Sequence, residues 1–194
     1  MCATREFTST IAILSSYSSN RRSDQLFQET KIWEACRATS AATTFFDPIS
    51  IGKLGIRFVD GAVTANNPVF ELWNEAKEIW KSDPNHTVKC LVSIGTGVLR
   101  ENSFKGGIVG ICKGLIKIAT ETELTAEGFC KDKSELHSKG RYYRFNVANG
   151  LDNIGLEDAK RKSEIIAATD EYIEGQEIFK KIEACANKMS GREC

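Results

Sequence analysis

The sequence predicts an α/β domain built on a largely parallel sheet. Three observations carry that prediction. Apolar runs that read as strands alternate with segments of helical periodicity along the 194 residues. One run, Cys90 to Ile94, is apolar almost throughout, as expected of a strand buried on both faces. Two strand candidates end in turn chemistry, Asp60-Gly61 and Gly95-Thr96-Gly97. Such strand ends are where open α/β sheets carry their reactive groups.

The elements follow in order. Phe7 to Tyr17, rich in Thr, Ile and Leu, reads as β-like, and Ser18 to Asp24 as a polar loop. Ile32 to Ala42 is a short helix candidate full of small residues, and Ile56 to Val59 a strand ending at Asp60-Gly61. Asn67 and Pro68 suit a helix start, because a proline at the first helical position gives up an N–H that would be unpaired anyway. Val69, Leu72, Trp73, Ala76 and Trp80 then recur at helical spacing, and Asp83-Pro84-Asn85 closes the helix. Ile108 to Ala126 reads as an amphipathic helix and Arg141 to Val147 as a strand. Leu156 to Met189 is mostly helical with a break near Gly175. With no internal repeat or low-complexity linker, a single domain is the default for this length.

Composition excludes several classes. Lys+Arg and Asp+Glu both number 26, so no net basic charge supports nucleic-acid binding by counterion release. Seven cysteines, an odd number, show no CxxC or Cys/His spacing, which argues against a disulfide framework and against a zinc site. His86 and His137 are the only histidines. No metal or cofactor is implied, and a reducing, intracellular compartment fits the cysteine usage. The first residues lack a signal peptide's basic and apolar regions. The greasiest stretch, Ile108 to Ala119, contains Lys113 and Lys117 and is too short and charged to span a bilayer. It suits either burial against a sheet or a place on a membrane surface.

Asp60-Gly61 has two readings on its residues alone. Asp and Gly favour a turn, where Asp bonds its own backbone. Equally, a carboxylate fixed at a strand end could serve as a general base. Other candidates are weaker. Gly110-Ile111-Cys112-Lys113-Gly114 matches Gly-x-Cys-x-Gly, but it falls inside a helical pattern rather than on a strand-to-helix turn, so Cys112 reads as a small hydrophobe. Ser40 reads as a small residue for close helix packing, and Ser93 lies within a buried strand. Gly95-Thr96-Gly97 lacks the further glycines and the lysine of a phosphate loop. Trp73 and Trp80, seven apart, read as core, and Glu157 to Glu164 as a solvated helix face.

Three blocks together resemble one family. Cys36-Arg37-Ala38-Thr39-Ser40-Ala41-Ala42 resembles the small-residue helix of patatin-like phospholipases. Phe58-Val59-Asp60-Gly61-Ala62 followed by Ala65-Asn66-Asn67-Pro68 is similar to their aspartate motif, and Leu91 to Gly97 to their next strand. The blocks keep the family's order and span most of Thr30 to Gly97. The tail resembles fungal members through less diagnostic residues.

The resemblance implies a three-layer α/β fold with a mostly parallel central sheet, of which residues 1–194 form the C-terminal part of one domain, truncated at the N-terminus. It implies a Ser–Asp dyad acting on lipid acyl esters, phospholipids above all. Asp60 matches the dyad aspartate, the general base, within the motif Asp60-Gly61-Ala62. Gly61 would let the nucleophile's backbone approach. No Gly-x-Ser-x-Gly elbow occurs in the sequence, so the expectation is a chain inactive by itself. The alternative is a remnant that binds lipid or a partner without catalysis. A cytoplasmic protein, at most peripheral to a membrane, is expected; the oligomeric state is not indicated.

Overall fold

The computed structural model describes residues 1–194 except 44, 99–108, 153, 156–157 and 192–194, and describes the backbone alone for residues 109–120. The fold is mixed α/β and falls into two compact units, Met1–Pro68 and Val69–Cys194.

The first unit is built on a four-stranded sheet in the order β2-β1-β4-β3. Its strands are β1 (Cys2–Arg5), β2 (Ile11–Ile13), β3 (Ile49–Ile51) and β4 (Ile56–Asp60). All three pairings are antiparallel, with Ala3 opposite Ala12 and Asp60, and Ile49 opposite Phe58. The largely parallel sheet expected from the sequence is therefore not what this unit contains. For two of the pairings the reason is connection length: β1 to β2 and β3 to β4 turn within a few residues, whereas a parallel pair needs a crossover of a dozen or more. The Phe7 to Tyr17 run divides accordingly, with a turn in which Ser9 takes φ 51° before β2 begins.

Helices α1 (Asp24–Glu29) and α2 (Ile32–Thr39) cover one face of this sheet. Leu26, Ala35 and Ala38 pack there against Ala3, Ala12, Ile51 and Phe58. Small residues on α2 let its backbone approach the strands, as the sequence suggested. Ser23 caps α1, accepting the Gln25 N–H at 3.3 Å. The short helix α3 (Ala62–Ala65) follows β4 and meets the other face at Thr4. β1 is thus covered on both sides, and Ala3 and Thr4 are both buried.

The second unit contains a parallel pair, β5 (Leu91–Ile94) and β6 (Tyr142–Phe145), with Leu91 opposite Tyr142. The connection between them, with helices α6 (Val109–Asp132) and α7 (Ser134–Ser138), supplies the crossover that parallel pairing requires. Phe129 of α6 is the centre of the core. It is fully buried and meets the rings of Phe70, Trp73 and Tyr142 at centroid distances of 5.1, 5.9 and 5.0 Å. Val69 and Trp73, one turn apart on α4 (Val69–Trp80), complete it with Val88, Leu91 and Leu136.

α4 starts directly after Asn67-Pro68 and stops where Lys81 turns left-handed at φ 51°. Trp80, expected beside Trp73 in the core, is 47% exposed. Ile79 is exposed too, so the last turn of α4 is left uncovered by the described residues. Asp83-Pro84-Asn85 does more than close α4. Asp83 caps a new short helix, α5 (Pro84–Thr87), and accepts the Asn85 N–H at 3.0 Å. That bond holds the Asp83 carboxyl below the usual carboxylate range.

The C-terminal segment is helical, as expected: a 3₁₀ turn (Ala159–Arg161), then α8 (Lys162–Glu174) and α9 (Gln176–Ser190). The break falls at Gly175, which is extended at ψ 126°. Arg161 and Glu164 pair at 2.6 Å on the solvated face of this segment. Among the described residues, no helix is long and apolar enough to cross a membrane.

Candidate functional site

Asp60 is the last residue of β4, and three independent ties fix its backbone. Its N–H donates to Ala41 O at 3.0 Å, joining it to the loop after α2. Its carbonyl accepts the Thr4 hydroxyl at 2.9 Å, and it stands opposite Ala3 in the ladder. Because Thr4 Oγ1 gives its proton to Asp60 O, the Thr64 hydroxyl, 2.8 Å away, donates to Thr4. One buried threonine therefore links β1, β4 and α3. Thr39 at the end of α2 adds a fourth element by donating to Cys2 O at 2.6 Å.

The Asp60 side chain is then set by its own turn. Oδ1 accepts the Ala62 N–H at 2.7 Å, so the carboxylate serves the start of α3 in the manner of a helix cap. Oδ2 has no hydrogen bond among the described residues, and Asp60 is partly exposed. The two readings of Asp60-Gly61, turn and base, are thus compatible: the turn uses one oxygen and leaves the other able to accept a proton.

Glycine at position 61 is also required within the unit itself. Gly61 sits in ordinary right-handed backbone, φ −62°. A β-carbon there would overlap the carbonyl oxygen of Cys2 and stand 2.9 Å from its carbonyl carbon. This close approach is made by β1 of the same unit.

The remaining candidate side chains are engaged elsewhere. Ser40 is not the close-packing position expected of it: it lies exposed just past the end of α2, and its hydroxyl donates to Cys36 O at 2.8 Å, one turn back, which commits it away from Asp60. Ser93 is buried and accepts from Arg144 Nη1 at 2.9 Å. Gly110 to Gly114 lies within the first turns of α6, so the backbone there is helix and not a nucleophile turn; the Cys112 side chain is outside the described residues, as are those of Lys113 and Lys117. No group of three or more metal-binding side chains occurs among the described residues.

Gly95-Thr96-Gly97 is a strand-end turn held by side chains that no sequence motif marks. Glu123 Oε1 accepts from Arg144 Nη2 and from Asn146 Nδ2, each at 2.8 Å. Asn146 Oδ1 in turn accepts the Gly97 N–H at 2.7 Å. Gly97 adopts φ 102°, and a β-carbon on Gly95 would overlap Asn146 Oδ1. Sequence reasoning misses Thr4, Thr64, Glu123 and Asn146 alike. Each is an ordinary polar residue whose partner is distant in sequence, and no local pattern signals it.

Comparison with known proteins bears on the first unit most directly. Residues 3–73 match the family model described as patatin-like phospholipase. Phospholipase A I of Arabidopsis thaliana is 33% identical over 159 residues, 78% of this chain and 12% of that protein. Calcium-independent phospholipase A2-gamma is 28% identical over 156 residues in Oryctolagus cuniculus and 30% over 137 residues in Mus musculus. These matches cover 76% and 67% of this chain. The chain spans only 12–18% of the length of these three relatives.

Proposed function

Through residues 3–73 this chain belongs to the patatin-like phospholipase family, and on that premise we propose that Asp60 is the general base of a serine lipid acyl hydrolase. The observation that carries the reading is the Asp60 carboxylate itself. It sits at a strand end, anchored through Oδ1, with Oδ2 open among the described residues.

In this mechanism a serine hydroxyl loses its proton to Asp60 as its oxygen attacks the ester carbonyl. The tetrahedral intermediate expels the alcohol, which takes the proton back from Asp60. Water, deprotonated by Asp60, then attacks the acyl-serine, and the serine oxygen takes that proton back from Asp60 as the fatty acid is released. No Gly-x-Ser-x-Gly elbow occurs in residues 1–194, so the serine is supplied from outside them. These residues would form the C-terminal part of a three-layer α/β domain, its parallel strands beyond β5 and β6 supplied with the serine. The substrate is a phospholipid, met by a cytoplasmic protein at the membrane periphery.

The test is to assay the purified chain on p-nitrophenyl esters and phosphatidylcholine vesicles. No turnover above background and no serine adduct with a fluorophosphonate are expected. Ester hydrolysis that disappears in Asp60→Ala would overturn the division of labour. Joining a Gly-x-Ser-x-Gly segment from a relative ahead of residue 1 should generate hydrolysis that Asp60→Asn lowers about 10²–10⁴-fold.

A further inference from the structure

We propose that Cys90 and Cys185 form a reversible disulfide that locks the C-terminal helix onto the parallel strand pair. The two sulfurs lie 3.9 Å apart although the residues are 95 apart in sequence. Both are free thiols, and closing the pair brings the sulfurs from that separation to a bonding distance of about 2.05 Å. Cys90 immediately precedes β5 and is partly exposed, whereas Cys185 faces inward from α9.

The location gives the bond a mechanical meaning. Cys185 is the one residue of α9 that is buried. Lys181, one turn earlier, also ties the helix to the strands: it donates to Arg144 O at 2.8 Å and lies over the Phe145 ring. Most of α9 faces solvent, including Phe179 and Met189. A helix with so little buried surface opens by local fluctuation at low cost. A covalent link at its buried residue removes that freedom.

The oxidant is a low-molecular-weight disulfide, RSSR. Cys90, the accessible thiol, attacks one sulfur as thiolate, giving a Cys90–SR mixed disulfide and RSH. The Cys185 thiolate then attacks Cys90 Sγ and expels the second RSH. Two thiol protons leave on two RSH, and a dithiol reductant reverses both steps. Burial pushes the Cys90 thiol up to about 11, reinforced by Cys185 and opposed by Lys188. The pair therefore closes slowly near neutrality and faster as pH rises.

The experiment uses the full chain, reduced and then equilibrated with mixtures of glutathione and its disulfide. Peptide mapping is expected to find an intramolecular Cys90–Cys185 link, with amide exchange along α9 slowed at least about tenfold in the oxidised form. Cys90→Ser should lose both effects and Cys36→Ser, at an exposed site, neither. Thiols at 90 and 185 that persist, or that carry separate glutathione adducts, would overturn the pairing. A link that forms without slowing exchange in α9 would overturn the lock. Both readouts are made first on the unmodified sequence, so a variant that fails to fold does not rescue the idea.

Discussion

Gly61 has no room for a side chain because the carbonyl of Cys2 occupies it: a β-carbon would stand 2.9 Å from the carbonyl carbon and nearer still to the oxygen. That oxygen also accepts the Thr39 hydroxyl and cannot retreat without breaking that tie. Gly61→Ala should therefore destabilise the first unit by about 1–3 kcal/mol, the usual cost of overpacking. Urea unfolding followed by amide exchange at Ala3 and Thr4 would measure it. An unchanged midpoint would mean that β1 shifts freely.

Phe129 is fully buried among three aromatic rings, two of which meet it edge-on. Phe129→Ala leaves a cavity that rigid rings fill poorly, and should cost about 3–5 kcal/mol. Phe129→Leu should cost less. The check is the denaturation midpoint of each variant; the two should differ clearly if the cavity dominates.

Glu123 accepts two hydrogen bonds, from Arg144 and Asn146, and Arg144 is largely buried. Glu123→Leu strands both donors and should cost about 2–4 kcal/mol. Glu123→Gln keeps an acceptor and should cost less. The Gly97 amide, which bonds Asn146, is the local reporter: its exchange should speed up in the leucine variant before global unfolding does.

Alkaline pH should weaken the second unit through Cys90. Burial raises its thiol from 9.0 to about 11 in the folded chain, so the folded state holds this proton more tightly than the unfolded one. The stabilising contribution is complete below pH 9 and lost as pH rises toward 11. Reduced protein should show a falling melting temperature across that window, and Cys90→Ala should flatten the slope. A slope unchanged by the substitution would place the effect on other groups.

What the sequence made legible was local. β4 ending at Asp60, the small-residue helix α2, the start of α4 after Asn67-Pro68 and the break at Gly175 all follow from signals within a few residues of each other. Strand direction was not legible, because it depends on connections to β1 and β3. Nothing in the sequence marks the strand at Ile49–Ile51, where three residues are too few for periodicity to show. Trp80 misleads for a related reason: helical spacing places it over Trp73, but only tertiary cover decides whether a turn is buried. The candidate site was half visible. Asp60 stands out, while the threonines that hold it come from positions 4 and 64, on either side of β4 in sequence, and only the fold unites them.

Lys81 ends α4 in the left-handed region, at φ 51°, without being glycine. A residue with a β-carbon gives up about 1–2 kcal/mol in that conformation, and glycine gives up little. The chain thus tolerates a helix terminus below its attainable thermal resistance. Position 81 is accordingly where an engineer seeking a hardier protein could begin, since no chemistry is assigned to it.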